Sequence, residues 1–257
     1  MKIKRMAVSA KLLVWRSISA SLFVAVLWPL HVNGEDLLPE EKVDEINQLI
    51  REYLMNNPEV ILDSVQRFRE KQEAMEQESG ARNLSALRDQ LENDPATPST
   101  GNPEGDVTVV EFFDYRCGYC KSTLTTLLQL LSEDSGIRLV LKEFPILSDE
   151  SNVAARAALA AGMQGQYFMF HNALMETRVS LQKDSILVMA EDFGLDVERL
   201  AIDMESPEIF AQVESNRKLA AALNIRGTPT FVIGEQILPG AVDIESLREI
   251  IQSVREG

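Results

Sequence analysis

Cysteine, histidine and tryptophan are scarce in this sequence of 257 residues, which holds two of each. Both tryptophans and one histidine, His31, lie within the first 34 residues. A structural zinc site takes four ligands, and the rest of the chain offers only Cys117, Cys120 and His171 as sulfur and imidazole ligands. We therefore expect no metal site, and we interpret His171 as a core or surface histidine.

Positive charge is also in short supply, with 25 Lys and Arg against 40 Asp and Glu and a net charge of −15. Five basic residues precede residue 35, without any acid, so the remaining chain has a net charge of about −20. A surface this acidic repels nucleic acid and anionic lipid, and it excludes a nucleic-acid partner. Internal repeats are absent, which excludes solenoids and propellers.

Long apolar runs are missing except near the N-terminus. There a basic segment is followed by the apolar stretch 18–30 and by the small residue Gly34. This order is typical of a secretory signal peptide, and the apolar part is short for a membrane span. We predict a signal peptide over residues 1–34, with an uncleaved membrane anchor as the alternative.

Residues 35–91 have a polar, helical pattern. Val43, Ile46, Ile50 and Tyr53 recur at helical spacing, and Asn57-Pro58 predicts a stop and a restart. A narrow apolar stripe of the coiled-coil type follows at Ile61, Val65, Phe68, Gln72 and Met75, with a further helical turn or two at Leu84, Leu87 and Leu91. Such stripes must pack against the same chain or against other copies of it. We favour self-association as a dimer or trimer.

The next segment, 92–105, is rich in proline and glycine and is predicted to be an extended linker. From residue 106 the pattern becomes α/β. Strands are predicted at 107–113, 137–144, 230–233 and 236–238, a helix over 244–254, and a helical block over about 149–223. Leu124, Leu127, Leu128 and Leu131 predict the apolar face of a helix after the first of these strands. This order predicts a thioredoxin-like sheet over 106–257 with a helical insertion.

The two cysteines form the motif Cys117-Gly118-Tyr119-Cys120. They follow a predicted buried strand and lie in the first turn of a helix, where free backbone N–H groups stabilise a thiolate at Cys117. Cys120 is one turn further on and can resolve a mixed disulfide. A purely structural disulfide is the alternative, but closing so short a loop stabilises a fold little. The pattern predicts thiol–disulfide exchange, which requires no cofactor.

Glu111 lies six residues before Cys117, inside the apolar strand. Since both faces of this run are apolar, we expect its carboxyl to be desolvated and its pKa raised, so that it relays a proton to and from Cys120. The alternative is an ordinary strand residue that faces the surface.

Thr228-Pro229 leads into the third predicted strand. Proline at such a position often only marks an edge strand, because it cannot donate a hydrogen bond to a neighbouring strand. It can instead form a cis bond that turns the Thr228 backbone toward the cysteines, where it pairs with an extended substrate.

The segment 111–120, the helical insertion and the segment 227–230 together resemble the periplasmic DsbA-like thiol–disulfide oxidoreductases of the thioredoxin superfamily. The resemblance implies a nucleophilic Cys117, a resolving Cys120, a buried acid at Glu111 and a cis Pro229. It also implies periplasmic location, secreted proteins with cysteines as substrates, and a membrane partner that recycles the CxxC pair.

Gly118 and Tyr119 between the cysteines, with Thr228 before the proline, are similar to DsbC-type disulfide isomerases, and these residues are expected to contact substrate. The region before residue 92 is similar to the oligomerisation stalk of ScsC-type proteins, some of which are trimeric isomerases. An isomerase or reductase is therefore the favoured function, and a DsbA-like oxidase is the alternative. A third hypothesis is a copper-handling protein that binds Cu(I) through the two cysteines.

Overall fold

The structure is a computed structural model that describes residues 39–256, apart from the side chains at 40–41, 73 and 76–81. The predicted signal peptide, residues 1–34, lies outside this range. The chain divides into two compact units, the first ending at Ile61 and the second beginning at Leu62. None of the helices within 39–256 has the length and apolarity needed to span a bilayer.

The first unit contains helix α1 (Glu40–Asn56) and the start of helix α2 (Pro58–Glu92). The predicted stop and restart at Asn57-Pro58 is confirmed. The backbone N–H and the side-chain Nδ2 of Asn57 both donate to the Tyr53 carbonyl, at 2.9 and 2.8 Å, and so end α1. Pro58 is the first residue of α2, where a backbone N–H would have no acceptor within the helix.

The second unit is built on a five-stranded sheet in the order β1-β3-β2-β4-β5. The strands are β1 (Ser99–Gly101), β2 (Val107–Phe113), β3 (Ile137–Glu143), β4 (Thr230–Ile233) and β5 (Gln236–Pro239). β2 and β3 are parallel, while β1 pairs antiparallel with β3, β4 with β2, and β5 with β4. β2 and β3 are each buried at every position but one, because one apolar cluster covers each face of the sheet.

The other regular elements of the second unit are helices. Their bounds are α3 (Gly118–Glu133), α4 (Asp149–Met163), α5 (Tyr167–Glu176), α6 (Lys183–Asp192), α7 (Val197–Asp203), α8 (Pro207–Ala222) and α9 (Ile244–Glu256). Helices α4 to α8 form the predicted insertion between β3 and β4. The predicted thioredoxin-like fold with a helical insertion, preceded by N-terminal helices, is confirmed.

The buried face of α3 differs in one position from the predicted one. Leu124 and Leu127 are buried, as expected, but Leu128 is 46% exposed and Leu130 is buried. Leu131 packs at the margin of the core. The core therefore follows a spacing of three residues from Leu124 to Leu130, which a helix allows as readily as a spacing of four.

The C-terminal end of α2 belongs to the core of the second unit. Leu84 and Leu91 are completely buried, in a cluster with Val110 and Phe112 of β2. The Asn83 side chain donates to the Ala222 carbonyl at 2.7 Å. This segment was predicted as part of an oligomerisation region that ends at residue 91, and its last turns instead cover one face of the sheet.

Two basic side chains of β3 bind the end of α2. The Lys142 ammonium donates to the Gln90 carbonyl at 2.9 Å and to Thr97 Oγ1 at 2.8 Å. Arg138 donates to the Glu92 carbonyl at 2.9 Å. These cations satisfy carbonyl groups that have no partner within the helix, at its negative end. Burial lowers the pKa of Lys142 to about 8, against the opposing effect of nearby Asp94.

The segment 92–105 was expected to be an extended linker, and part of it is a strand of the sheet. β1 lies within it and pairs with β3 from Ser99 opposite Val140 to Gly101 opposite Arg138. Pro98 also accepts a hydrogen bond from the Leu141 backbone at 2.9 Å. The prolines and glycines of this segment shape the turns on either side of a short edge strand.

Replacing Leu91 by alanine is expected to destabilise the protein by about 2–5 kcal/mol, because it leaves a cavity between α2 and the sheet. Urea unfolding followed by far-UV circular dichroism measures the loss. The matched control is Ile202→Ala, at a side chain that is 69% exposed, with an expected change within about 0.5 kcal/mol. Equal losses in the two variants would contradict the assignment of α2 to this core.

Candidate active site

The loop that joins β2 to α3 is held by one buried carboxylate. Asp114 Oδ1 accepts from the Arg116 backbone at 2.7 Å, and Oδ2 accepts from the Ile146 and Leu147 backbones at 2.8 and 3.0 Å. The Asp114 carbonyl accepts from the Cys117 N–H at 3.0 Å. These bonds place Cys117 directly at the start of α3.

Cys117 is the N-cap residue of α3. Its sulfur accepts from the Cys120 backbone at 3.4 Å and lies 3.2 Å from the Thr228 carbonyl, to which the thiol donates. Both cysteines are free thiols. The positive end of the helix dipole and the Cys120 N–H favour a negative charge on this sulfur, so Cys117 has the environment of a nucleophile.

Cys120 is the more deeply buried thiol, 1% exposed against 6% for Cys117. Burial raises its pKa far above the usual range, while a hydrogen bond from the Asp114 backbone acts in the opposite direction. Cys120 therefore holds its proton at neutral pH. A group that exchanges this proton is needed whenever Cys120 enters or leaves a disulfide.

Glu111 is a buried carboxyl whose charge acts on Cys120. Its side chain is 2% exposed, and burial raises its pKa to about 8, an effect that a hydrogen bond from Thr123 Oγ1 at 3.4 Å partly offsets. The charge of its carboxylate in turn contributes to the raised pKa of Cys120. The prediction of a desolvated acid with a raised pKa is confirmed, and the alternative of a surface-facing residue is wrong.

The peptide bond between Thr228 and Pro229 is cis, as the resemblance implied. β4, which begins one residue later, lies between β2 and β5, so the alternative of a proline on an edge strand is wrong. The Thr230 hydroxyl donates to the Gly227 carbonyl at 2.8 Å, and the Gly240 N–H donates to the Pro229 carbonyl at 2.8 Å. Thr228 Oγ1 is buried and has no hydrogen-bond partner.

Gly118 and Tyr119, the two residues between the cysteines, face outward from the first turn of α3. The Tyr119 side chain is 70% exposed, and the space around Gly118 is open, with no atom within 4 Å of an added Cβ. The Thr228 carbonyl and the Cys120 N–H are the groups that contact the Cys117 sulfur.

Three polar residues behind this site were missed by the sequence analysis. Glu143, Tyr115 and Tyr167 are buried together, and both tyrosine hydroxyls contact Glu143 Oε1. His171, predicted as a core or surface histidine, joins them through a contact of 3.0 Å between its Nδ1 and the Tyr115 hydroxyl. Burial lowers the pKa of His171 to about 3, so its ring is neutral. The one available signal was a second acid, Glu143, at the end of an apolar strand.

Lys121 directly follows Cys120 and connects α3 to the end of α5. Its ammonium donates to the carbonyls of Leu174, Met175 and Thr177 at 3.3, 2.9 and 2.8 Å. The last turn of α5 is thereby fastened to the helix that carries the cysteines. Burial lowers the pKa of Lys121, and repulsion from Arg116 adds to the effect.

Two family models match the chain. The DSBA-like thioredoxin domain matches residues 108–252, which is more than half of the chain. The Copper resistance protein ScsC N-terminal domain matches residues 43–74.

Solved structures agree with these matches. A thioredoxin-like oxidoreductase from Silicibacter pomeroyi DSS-3 is 45% identical, covers 66% of this chain and 98% of its own, and has a TM-score of 0.65. Proteus mirabilis ScsC in a transitional conformation is 27% identical, with coverages of 86% and 100% and a TM-score of 0.63.

The Na(+)/H(+) antiporter NhaA of Herminiimonas arsenicoxydans is 28% identical over 166 residues, which are 64% of this chain. They are 27% of the antiporter, so the chain spans about a quarter of that relative. The chain belongs to the DSBA-like thioredoxin domain family, and its Cys117–Cys120 pair is the CxxC pair of a thiol–disulfide oxidoreductase of the DsbA and ScsC type.

Proposed function

We propose that this protein is a periplasmic thiol–disulfide exchange enzyme that acts on secreted proteins mainly as a disulfide isomerase and reductase. The observation that carries the proposal is the asymmetry of the two thiols. Cys117 lies at a helix N-terminus against the Thr228 carbonyl, whereas Cys120 is buried with Glu111 nearby. One sulfur is arranged to attack a substrate and the other to release it.

The exchange begins when the Cys117 thiolate attacks one sulfur of a substrate disulfide. A bond forms between Cys117 and the substrate, and the second substrate sulfur leaves as a thiolate, so the number of disulfides is unchanged. If that thiolate attacks another disulfide of the substrate, and a substrate thiolate later displaces Cys117, the net result is isomerisation. The enzyme returns to its starting state without a change in redox state.

Release through Cys120 gives reduction instead. The Glu111 carboxylate takes the proton of Cys120, whose thiolate attacks the Cys117 sulfur, and the substrate leaves with both of its sulfurs reduced. The enzyme then holds a Cys117–Cys120 disulfide and has lost two electrons to the substrate. A membrane partner that returns two electrons completes the cycle, and the same steps in reverse oxidise a substrate.

Self-association through α1 and the first part of α2 is the second component of the proposal. Apolar side chains along these helices are about half exposed, among them Ile46, Ile50, Tyr53, Ile61 and Val65. This region coincides with the match to the ScsC N-terminal domain over 43–74. A dimer or trimer would cover this surface and present several Cys117 thiols to one misfolded substrate.

The test is the refolding of a substrate with scrambled disulfides by an enzyme whose self-association is disrupted. Because Leu84 and Leu91 belong to the core, deleting residues 35–91 would damage the catalytic unit as well. The double variant Ile46→Asp/Ile50→Asp avoids this, since it places charge only on the exposed helix face.

We expect the double variant to be monomeric in analytical ultracentrifugation. Its isomerase rate should fall about tenfold or more, because several active sites no longer act together on one substrate molecule. Reduction of a small-molecule disulfide should be unchanged. Met55→Asp, at a side chain that is 77% exposed, is the matched control. A monomer with full isomerase activity would refute the role of self-association.

Copper handling is a second candidate, which the description of the N-terminal family as a copper resistance protein favours. The soft thiolates of Cys117 and Cys120 suit Cu(I). Titration with Cu(I) under anaerobic conditions, with Cys117→Ser as control, tests it. Tight binding in a protein without disulfide-exchange activity would favour this candidate over the enzyme.

A further inference from the structure

A cluster of buried polar side chains lies behind the active-site loop. Glu143 is the last residue of β3, Tyr115 lies in the loop before Cys117, and Tyr167 and His171 come from α5. Glu143 is 1% exposed and Tyr115 is completely buried. The Tyr115 and Tyr167 hydroxyls donate to Glu143 Oε1 at 2.9 and 2.7 Å.

The two oxygens of the Glu143 carboxyl differ in their hydrogen bonds: Oε1 accepts from both tyrosines and Oε2 from neither. A tyrosine hydroxyl has one proton, so Tyr115 donates to Glu143 and accepts from His171 Nδ1, at 3.0 Å, when that nitrogen carries the imidazole proton. Glu143 Oε2 is buried and has no partner. A buried carboxyl with one unpaired oxygen lowers the stability of a fold, and an apolar residue at this position would avoid that loss.

The cluster is continuous with the redox site through the backbone. Tyr115 is flanked by Asp114 and Arg116, and the Asp114 carbonyl accepts from the Cys117 N–H. The Tyr115 ring packs edge-on against Phe113, with centroids 5.3 Å apart, and against His171 at 5.5 Å. A displacement of this ring would therefore move the backbone groups that surround both sulfurs.

The cluster is also close to the proton-relaying acid. In the parallel register of β2 and β3, Phe113 is paired with Glu143 and Glu111 with Leu141. Side chains two residues apart in a strand point to the same face, so both carboxyls lie on the α3 side of the sheet. Burial raises the pKa of Glu143, as does repulsion from Asp114 and Glu111, while its bonds to Tyr167 and Tyr115 act against this. Glu143 therefore keeps its proton and adds no negative charge to the cluster.

We infer that Tyr115 and Glu143 are positioning residues for the redox pair: Glu143 holds the Tyr115 hydroxyl, and Tyr115 holds the loop that places Cys117 at the start of α3. The inference rests on the proposed thiol–disulfide exchange and adds two residues to the machinery of that reaction. Both act through the backbone of residues 114–117.

The test compares two variants that each remove one hydroxyl from the same carboxyl oxygen. Tyr115→Phe removes the bond that comes from the active-site loop, and Tyr167→Phe removes the bond that comes from α5. The readouts are the pH profile of Cys117 alkylation, followed by mass, and the equilibrium constant of the cysteine pair with glutathione. Urea unfolding is measured in parallel.

We expect Tyr115→Phe to change the equilibrium constant or the alkylation rate about three- to tenfold, the range that corresponds to one hydrogen bond. Tyr167→Phe should change them less than about twofold, even where the two variants lose similar stability. Glu143→Gln keeps an acceptor for both tyrosines and should stay near wild type, whereas Glu143→Leu should behave like Tyr115→Phe.

Equal effects of Tyr115→Phe and Tyr167→Phe on the redox readouts, or no effect of either, would overturn the inference and leave a purely structural cluster. Should Glu143→Leu fail to fold, the two tyrosine variants still decide. Failure of the wild-type protein to reshuffle or reduce a protein disulfide would instead refute the proposed function. The two failures are distinguishable, because the alkylation and glutathione readouts need no protein substrate.

Discussion

Replacing Cys117 by serine is expected to lower disulfide exchange by at least about a thousandfold, to the uncatalysed background. Every step of the proposed cycle passes through a bond to this sulfur. Cys120 cannot take over, because it is almost completely buried and burial raises its pKa. Release of thiols from a protein disulfide, measured by trapping and mass shift, reports the loss.

Cys120→Ser is the matched variant and separates the two directions of the reaction. It keeps the attacking sulfur but cannot resolve the mixed disulfide, so covalent enzyme–substrate adducts should accumulate on non-reducing gels. Net reduction and net oxidation should cease, since both need two cysteines. Reshuffling that uses Cys117 alone should continue. An enzyme that loses all activity in this variant would be an oxidase or a reductase rather than an isomerase.

Glu111→Gln is expected to slow the resolving step about a hundredfold, because an amide cannot take the proton of Cys120. In the wild type the rate of this step should change around pH 8, where burial places the pKa of Glu111. The variant should lack this pH dependence. Stopped-flow measurement of mixed-disulfide breakdown from pH 6 to about 9 gives both profiles.

Thr123→Val is the control for this effect. The Thr123 hydroxyl donates to Glu111 Oε1 and so lowers the pKa of the carboxyl. Removing the hydroxyl should move the pH dependence to higher pH and leave the proton carrier in place. An unchanged rate and profile in Glu111→Gln would contradict the assigned relay.

The Glu111 carboxyl also makes the stability of the fold fall as the pH rises. The pKa of Glu111 is higher in the folded state, about 8, than its ordinary value of 4.5, so the native state binds more protons between these values. Stability is therefore lost as pH rises through this window. Glu111→Gln should match the wild type near pH 4.5 and exceed it by up to about 3–5 kcal/mol above pH 8.

The direction of exchange is set by the potential of the Cys117–Cys120 pair. A value near about −120 mV would place the protein with strong oxidants, and a clearly lower value with isomerases and reductases. Equilibration with glutathione and thiol trapping measures it. Both tryptophans, Trp15 and Trp28, lie in the predicted signal peptide, so the readout is mass rather than tryptophan fluorescence.

The sheet and its helices were largely predictable because their patterns are local. The apolar run 107–113 indicates a buried strand, and Asn57-Pro58 indicates a helix boundary, without knowledge of any distant residue. The edge strand 99–101 was not predictable in this way. Of its three residues only Thr100 favours a strand, so pairing with β3 is what makes Ser99–Gly101 a strand.

The contacts at the end of α2 could not be predicted from a local pattern either. Leu84 and Leu91 have the spacing of a helix face, which the sequence indicates, but the spacing does not say what that face contacts. Lys142 accounts for the contact between α2 and β3 only once the structure is known. A lysine in an apolar strand has no visible partner in sequence, since the Gln90 carbonyl and Thr97 come from more than 40 positions away.

For the active site, sequence by itself determined the chemistry. Two cysteines in the first turn of a helix, an acid inside the preceding strand and a proline at the start of another strand are local features, and each has a direct chemical consequence. Tertiary structure alone decided which groups face the sulfurs. The Thr228 carbonyl reaches Cys117 across 111 residues, and Glu143 meets Tyr115 and Tyr167 only through the register of β3 and the packing of α5. These contacts depend on the relative placement of distant segments, which no local pattern encodes.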